Sequence, residues 1–323
     1  MRTTRFAGLL FSVLALLILG FATGPHAADK RISIGTGSSR GVYYLWGGAL
    51  QKIVNSKVPG VELTVESTSG QYDNAQLVER GKAELAMFNT LTAEGSWSGK
   101  GKWTKGKAFR NIRGMLPMYP SKMILYAPAD QKMKTIWDYQ GKHVAVGLSN
   151  GTPAIVAPDL FQALGIKPKQ FHYIGWGDVN NSVRDGIIQA IVAIGGQPWP
   201  PIVDLTTTHK VTFINLRDDD YKKIFAKLPH YAKGAIAKGT YQYQDTELNT
   251  LAFWNIIAVN KDLPDDIVYK ITKAISENKA IIAATHPKTA QEFDPKNITV
   301  SPLPIHPGAA RYYKEIGVAV KTQ

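Results

Sequence analysis

No cysteine occurs among the 323 residues. Disulfides and thiolate metal sites are therefore excluded, and no residue is available for lipoprotein-type lipidation. Long apolar runs are almost as scarce. Ala7 to Leu19 is nearly all apolar, but crossing a bilayer takes roughly 20 such residues, and no later stretch comes closer. Basic runs interleaved with aromatics are also missing, which excludes a nucleic-acid partner. The seven histidines form no His-x-x-x-His pair and have no nearby carboxylate partner in the sequence. Neither a metal nor a cofactor is expected. Asp218-Asp-Asp220 reads as a charged helix start, because a calcium loop needs a longer, spaced pattern.

The leading segment is informative. Arg2 and Arg5 precede the apolar run, and small residues follow at Gly20, Ala22, Ala27 and Ala28. This order is that of a secretory signal peptide, cleaved between about Ala22 and Ala28, and it predicts a periplasmic location. The formal net charge of +13 drops to +11 without Arg2 and Arg5, which steers anions towards the chain. The lysines of Gly99 to Lys107 are interrupted by glycines and read as a flexible surface loop.

Strand and helix patterns alternate through the rest. Strands are expected at 31–35, 61–65, 84–88, 112–118, 123–127, 143–147, 171–174, 188–194 and 251–259. Helices are expected at 42–54, 72–80, 153–164, 179–185 and 202–207, with one more from Asp262. The alternation predicts an α/β fold with mainly parallel sheet, arranged as two sets of βα units. One domain takes 29–126 and 250–323, the other 127–249, with 1–28 as the leader. Two crossings make a hinge, with a ligand cleft between the lobes. Sites in open α/β sheets lie beyond the C-terminal ends of strands, so the loops there carry the functional reading.

Three such loops stand between a strand and a helix. Gly35-Thr-Gly-Ser-Ser-Arg-Gly41 offers backbone N–H groups at a helix start, an anion site. It is no dinucleotide fingerprint, because Arg40 stands where glycine is needed. Ser67-Thr-Ser-Gly-Gln71 repeats the arrangement. Gly147-Leu-Ser-Asn-Gly151 also fits it, and matches the G-x-S-x-G nucleophile pattern. A serine hydrolase built on Ser149 would draw on Asp245 or Asp262 and on His286 or His306. None of these sits in a recognisable loop, so the hydrolase stands behind binding without turnover. The expected ligand is a small organic anion, a carboxylate or amino acid. Gly37, Ser38, Ser39, Ser69 and Gly70 would grip it from one lobe, and Ser149, Asn150, Gly151 and Thr152 from the other. Arg40 either adds a charge-assisted hydrogen bond or points to solvent. Tyr43, Gln71, Asn89 and Gln197 would complete the wall, while Trp176 and Trp199 either line the cleft or pack in the core.

Throughout its expected mature length, from about Ala28 or Asp29, the chain resembles the TAXI branch of the TRAP-transporter solute-binding proteins. The resemblance rests on Gly35-Thr36 through Gly41-Val-Tyr-Tyr44 with Gly47-Gly-Ala-Leu50, on Val58-Pro-Gly60, and on Thr68-Ser-Gly70 with Asn74. It continues through Gly147 with Gly151-Thr152, Asp262-Leu-Pro-Asp-Asp266, His306-Pro-Gly308 and Arg311-Tyr-Tyr313. It implies a two-lobed periplasmic-binding-protein fold of type II, no catalysis, a monomer, and a TRAP permease driven by an ion gradient. A membrane sensor kinase as the recipient is the alternative. Arg40, Gln71 and Pro153 depart from the family pattern inside the ligand loops, so ligand identity does not carry over.

Overall fold

A computed structural model describes residues 30–228 and 231–322. The leader and its cleavage region lie outside the described residues. In chain order the elements are β1 (Lys30–Gly35), α1 (Val42–Lys57), β2 (Val61–Glu66), α2 (Gln71–Glu79), β3 (Leu85–Asn89), α3 (Thr90–Ser98) and β4 (Ile112–Pro128). Next come β5 (His143–Ala145), α4 (Thr152–Leu164), β6 (Gln170–His172), α5 (Trp176–Arg184), β7 (Ala190–Gly195) and α6 (Pro200–Thr206). β8 (Val211–Ile214), α7 (Asp218–Lys227), β9 (Ala232–Ile236) and β10 (Leu248–Asn260) follow. The chain closes with α8 (Asp265–Glu277), α9 (Lys279–Thr285), α10 (Pro287–Glu292) and α11 (Pro307–Glu315).

The strands run in the order β2-β1-β3-β10-β4-β7-β5-β6, with β8 on β4 and β9 on β10. β1 is parallel to β2 and β3, and β5 is parallel to β6 and β7. Their apolar runs suit strands covered on both faces; β3 and β7 are buried throughout. The fold is α/β with a curled sheet, as the alternating pattern implied, but the expected mainly parallel sheet is mixed, because the long strand β10 runs antiparallel to β3, β4 and β9, and β4 antiparallel to β7 and β8. No helix among the described residues is long and apolar enough to cross a membrane.

Two long strands tie the halves together. Ile112–Pro117 of β4 pairs with β10, while Lys122–Tyr126 pairs with β7. β10 in turn pairs with β3 through Asn255–Val259 and with β9 through Leu248–Ala252. The expected borders at 126/127 and 249/250 fall inside these two strands. The sequence reading placed two separate strands at 112–118 and 123–127; the structure has one, of 17 residues. Pro117 and Pro120 suggested a break because proline cannot donate to a ladder. They are accommodated by a bulge, where Trp254 faces Pro120 and Ile256 faces Pro117. Asn255, in the gap, donates from Nδ2 to Tyr119 O and to Ser121 Oγ, both at 2.7 Å. Its side chain thus replaces the missing ladder contacts.

Two further readings change. The lysine–glycine segment is not a loose loop. A 3-10 turn at Lys102–Thr104 folds Trp103 onto α3, stacked on Tyr72 at 3.7 Å. Nor are the histidines all without partners. His143 Nδ1 lies 2.9 Å from His172 Nε2, and His306 Nδ1 lies 3.6 Å from Asp265. Asp218 does open a helix, with Asp220 accepting from Arg217 N at 2.9 Å and from Trp137 Nε1 at 3.0 Å.

Candidate functional site

The strand-to-helix loops at 35–41, 67–70 and 147–151 meet across the seam between the halves and enclose a cavity of about 100 Å³. Of the residues expected to hold a ligand, Gly37, Ser38, Tyr43, Ser69, Gly70, Gln71, Gly151, Thr152 and Trp176 line it. Thr36, Tyr119, Ser121, Val146, Leu148, Ile194 and Trp199 line it too; of these Thr36 and Leu148 belong to the loops expected there, Trp199 is an expected wall candidate, and the other four carry no sequence signal.

Why the loops sit so close follows from their glycines and from Asn74. Asn74, fully buried, donates to Thr36 O at 2.7 Å and to Met87 O at 2.6 Å, and accepts from Thr68 Oγ1 at 2.7 Å. It pins the first two loops to β3. A Cβ on Gly35 would stand 2.9 Å from its Oδ1. Gly70 has φ 136°, and its Cα faces the backbone of Asn150, so a side chain there would meet that backbone.

Direct bonds span the seam. Gln71 donates to Thr152 Oγ1, and Asn89 Nδ2 reaches the same oxygen at 3.4 Å. Gln71 Oε1 accepts from Asn89 N at 2.7 Å, and Asn150 Nδ2 donates to Ser69 Oγ at 2.9 Å. Asn89 therefore caps α3 and supports this latch instead of facing the cavity. Asn150 is a rim contact.

Three expected site residues lie elsewhere, as does the candidate nucleophile. Ser39 and Arg40 are exposed and border a separate groove with Asn180 and Asp204, the guanidinium resting over Gly177. Gln197 is buried behind the cavity, donating to Gly195 O at 2.8 Å and accepting from Tyr241. Ser149 is exposed and faces a second, larger cavity. No hydrogen bond joins it to a histidine among the described residues. His286 and His306 serve as the N-caps of α10 and α11. The hydrolase reading finds no geometry to support it.

The floor and walls are aromatic. Trp176 and Trp199 meet edge to face at 4.3 Å, and they pack on Gly147 and Gly195, where a Cβ would collide with the indoles. Tyr43 donates to Asn255 Oδ1 at 2.5 Å, tying α1 to the bulge. Burial pushes the Tyr43 and Tyr119 hydroxyls well above the usual phenol range, so both stay neutral. Among the described residues, no Asp, Glu, Lys, Arg or His lines the cavity. Four helices open on it: α1, α2, α4 and α5. Their N-caps are Gly41, Gly70, Gly151 and Gly175, and no described side chain caps any of them. Apart from Tyr44 N, Tyr72 N and the proline at 153, their first-turn N–H groups have no partner among the described residues, and the positive ends of the helix dipoles add to the pull on an anion.

The comparisons with known proteins agree with this architecture. The model of the NMT1-like family matches residues 34–317. Among solved structures, the periplasmic binding protein BugD is similar with a TM-score of 0.56 at 14% identity, over 92% of this chain and 100% of that one. A protein of Bordetella bronchiseptica RB50 gives 0.54 at 15% identity, over 89% and 98%. The ligand-binding core of GluR0, in complex with L-glutamate, gives 0.51 at 11% identity, over 83% and 100%. At these identities the likeness speaks for the fold alone: a two-lobed, type II binding-protein fold with its cleft between the lobes. The chain belongs to the NMT1-like family.

Proposed function

We propose that this protein is an extracytoplasmic solute-binding protein that captures a small organic anion, a carboxylate or amino acid, and delivers it to a membrane permease. The observation that carries this reading is the inner cavity: loops from both halves converge on it, four uncapped helix starts face it, and no acid–base pair for catalysis lines it among the described residues. Gly37, Ser38, Gly70, Gly151 and Thr152 would grip the ligand, with Tyr43 and Trp176 as walls. The leader pattern of 1–28 supports export to the periplasm. The proposed lobes, 29–126 with 250–323 and 127–249, close about β4 and β10, and the protein acts as a monomer.

Gentle denaturation of the purified protein, with mass spectrometry of whatever is released, identifies the ligand. Saturation with it at about 100 times its dissociation constant adds roughly 2.7 kcal/mol of stability, and small-angle scattering shows a smaller radius of gyration. Turnover of a chromogenic ester, lost in Ser149→Ala, would sink the proposal. The sequence resemblance supports a TRAP-type permease as the recipient. Uptake into vesicles carrying that permease should then run on an ion gradient without ATP; uptake that needs ATP hydrolysis points to another transporter class and rejects this partner.

A further inference from the structure

The polar groups around the inner cavity are unevenly used. Its carbonyls are engaged. Gly37 O accepts from Ser67 Oγ at 2.8 Å and from Thr68 N at 3.3 Å. Ser38 O accepts from Gly41 N at 2.8 Å, Leu148 O from Gly151 N at 2.9 Å, and Gly195 O from Gln197 Nε2 at 2.8 Å. The donors are mostly not engaged. Of the first-turn N–H groups of the four helices, Tyr44 N donates to Gly41 O at 3.1 Å and Tyr72 N to Asn150 O at 3.5 Å, Pro153 has none, and the others have no partner among the described residues. Tyr119, only 1% exposed, lines the cavity, and its hydroxyl finds no acceptor among the described residues. Ser121, 5% exposed, accepts from Asn255 Nδ2 at 2.7 Å but donates to nothing among the described residues.

A site of this kind satisfies acceptors and penalises donors. A carboxylate can take several N–H and O–H bonds at once, and a neighbouring oxo group can take Tyr119 or Ser121. An ammonium group needs up to three acceptors and, once buried, an opposing charge. Here the nearest loop carbonyls already accept, and no carboxylate of the described residues lines the space. We infer that the ligand is a small carboxylate that carries no ammonium group, a 2-oxo acid or similar acceptor-only acid, and that Tyr119 and Ser121 donate to its second oxygen centre. This narrows the function proposed above and rests on it.

Matched pairs test the inference directly. Calorimetric titrations would compare pyruvate with alanine, 2-oxobutyrate with 2-aminobutyrate, 2-oxoisovalerate with valine, and 2-oxoglutarate with glutamate. In the pair of best-fitting size, the oxo acid should bind at least tenfold more tightly than its amino partner. Equal or tighter binding of the amino acid overturns the inference and leaves the binding-protein reading standing. No binding by any of the eight overturns the inference, and the molecule released on gentle denaturation then decides the binding-protein reading. Tyr119→Phe should weaken the oxo acid five- to thirtyfold without lowering the melting temperature, because the lost hydroxyl has no partner among the described residues. Unchanged affinity in that variant removes the assignment of Tyr119. A melting temperature that falls with affinity shows a packing role and removes it as well.

Discussion

Two cavities lie along the same seam, and their linings differ in kind. The outer cavity measures about 600 Å³ and is bordered by Glu94, Lys100, Lys102 and Asp159, alongside Ser149 and the Tyr72–Trp103 stack. Its charges are solvated, and they screen one another: Lys102 lies 3.9 Å from Asp159 with its side chain 92% exposed. The inner cavity is lined by no charged side chain of the described residues and is walled by buried aromatics and uncapped helix starts. Volume is therefore a poor guide. What separates the two is whether the polar groups at the lining are charged and solvent-exposed, or uncharged, largely buried and in part without a partner among the described residues.

The largest test of that contrast is Gly70→Val. Its Cβ would meet the Asn150 backbone, and φ 136° is strained for any branched residue. Affinity for the ligand should fall more than a hundredfold, because the loops can no longer meet, while the far-ultraviolet spectrum stays that of the parent. Next comes Thr152→Val, which leaves the Gln71 and Asn89 amides facing a methyl group in a buried place. An unsatisfied buried donor costs about 1–3 kcal/mol, so the dissociation constant should rise roughly five- to a hundredfold by calorimetry. At the outer cavity, Lys102→Ala removes an exposed ion pair worth at most about 1 kcal/mol, and the ligand's dissociation constant should change less than twofold. A larger change would mean that the outer cavity takes part in binding.

Proton linkage sharpens the same contrast. Burial holds His306, His286 and His172 below the ordinary imidazole value of 6.5. Each binds protons more readily when the chain is unfolded, so the stability it contributes is complete above about 6.5 and is lost as pH falls below that towards the depressed folded values. The melting temperature should therefore drop between about pH 7 and 5. Affinity for a carboxylate ligand should stay flat over that range, since none of the described residues lining the inner cavity titrates there. A calorimetric pH series on one sample separates the two curves.

Much of this was legible from local pattern. The βα alternation, the three glycine–serine loops and the start of α4 behind Gly151 are signals confined to about ten residues. The rest needed distant parts of the chain. Tyr119 and Ser121 look like ordinary strand residues on either side of a proline, and only the bulge opposite Asn255, over 130 positions away, turns them towards the cavity. Arg40 and Gln197 sit in the right loops, but local sequence does not say which way a side chain leaves its loop. α3 went unseen because Thr90–Ser98 carries no apolar stripe; it is nucleated by Asn89, which accepts from Thr92 N. Asn74 was quoted for its resemblance and proved to hold two loops at once.

The position of β10 bears on the order in which the chain can assemble. It lies between β3 and β4, although some 120 residues of chain separate β4 from it. While only the N-terminal strands are available, their sheet has a vacant track at its centre, with the apolar edges of β3 and β4 unjoined. Residues 127–249 are contiguous and can begin pairing β5, β6 and β7 among themselves. The half that holds β1, β2 and β3 must wait for the chain to reach Asn260. Such a long-range closure is slow, and a polypeptide that cannot complete its sheet before Asn260 would stay threadable on the export route proposed above.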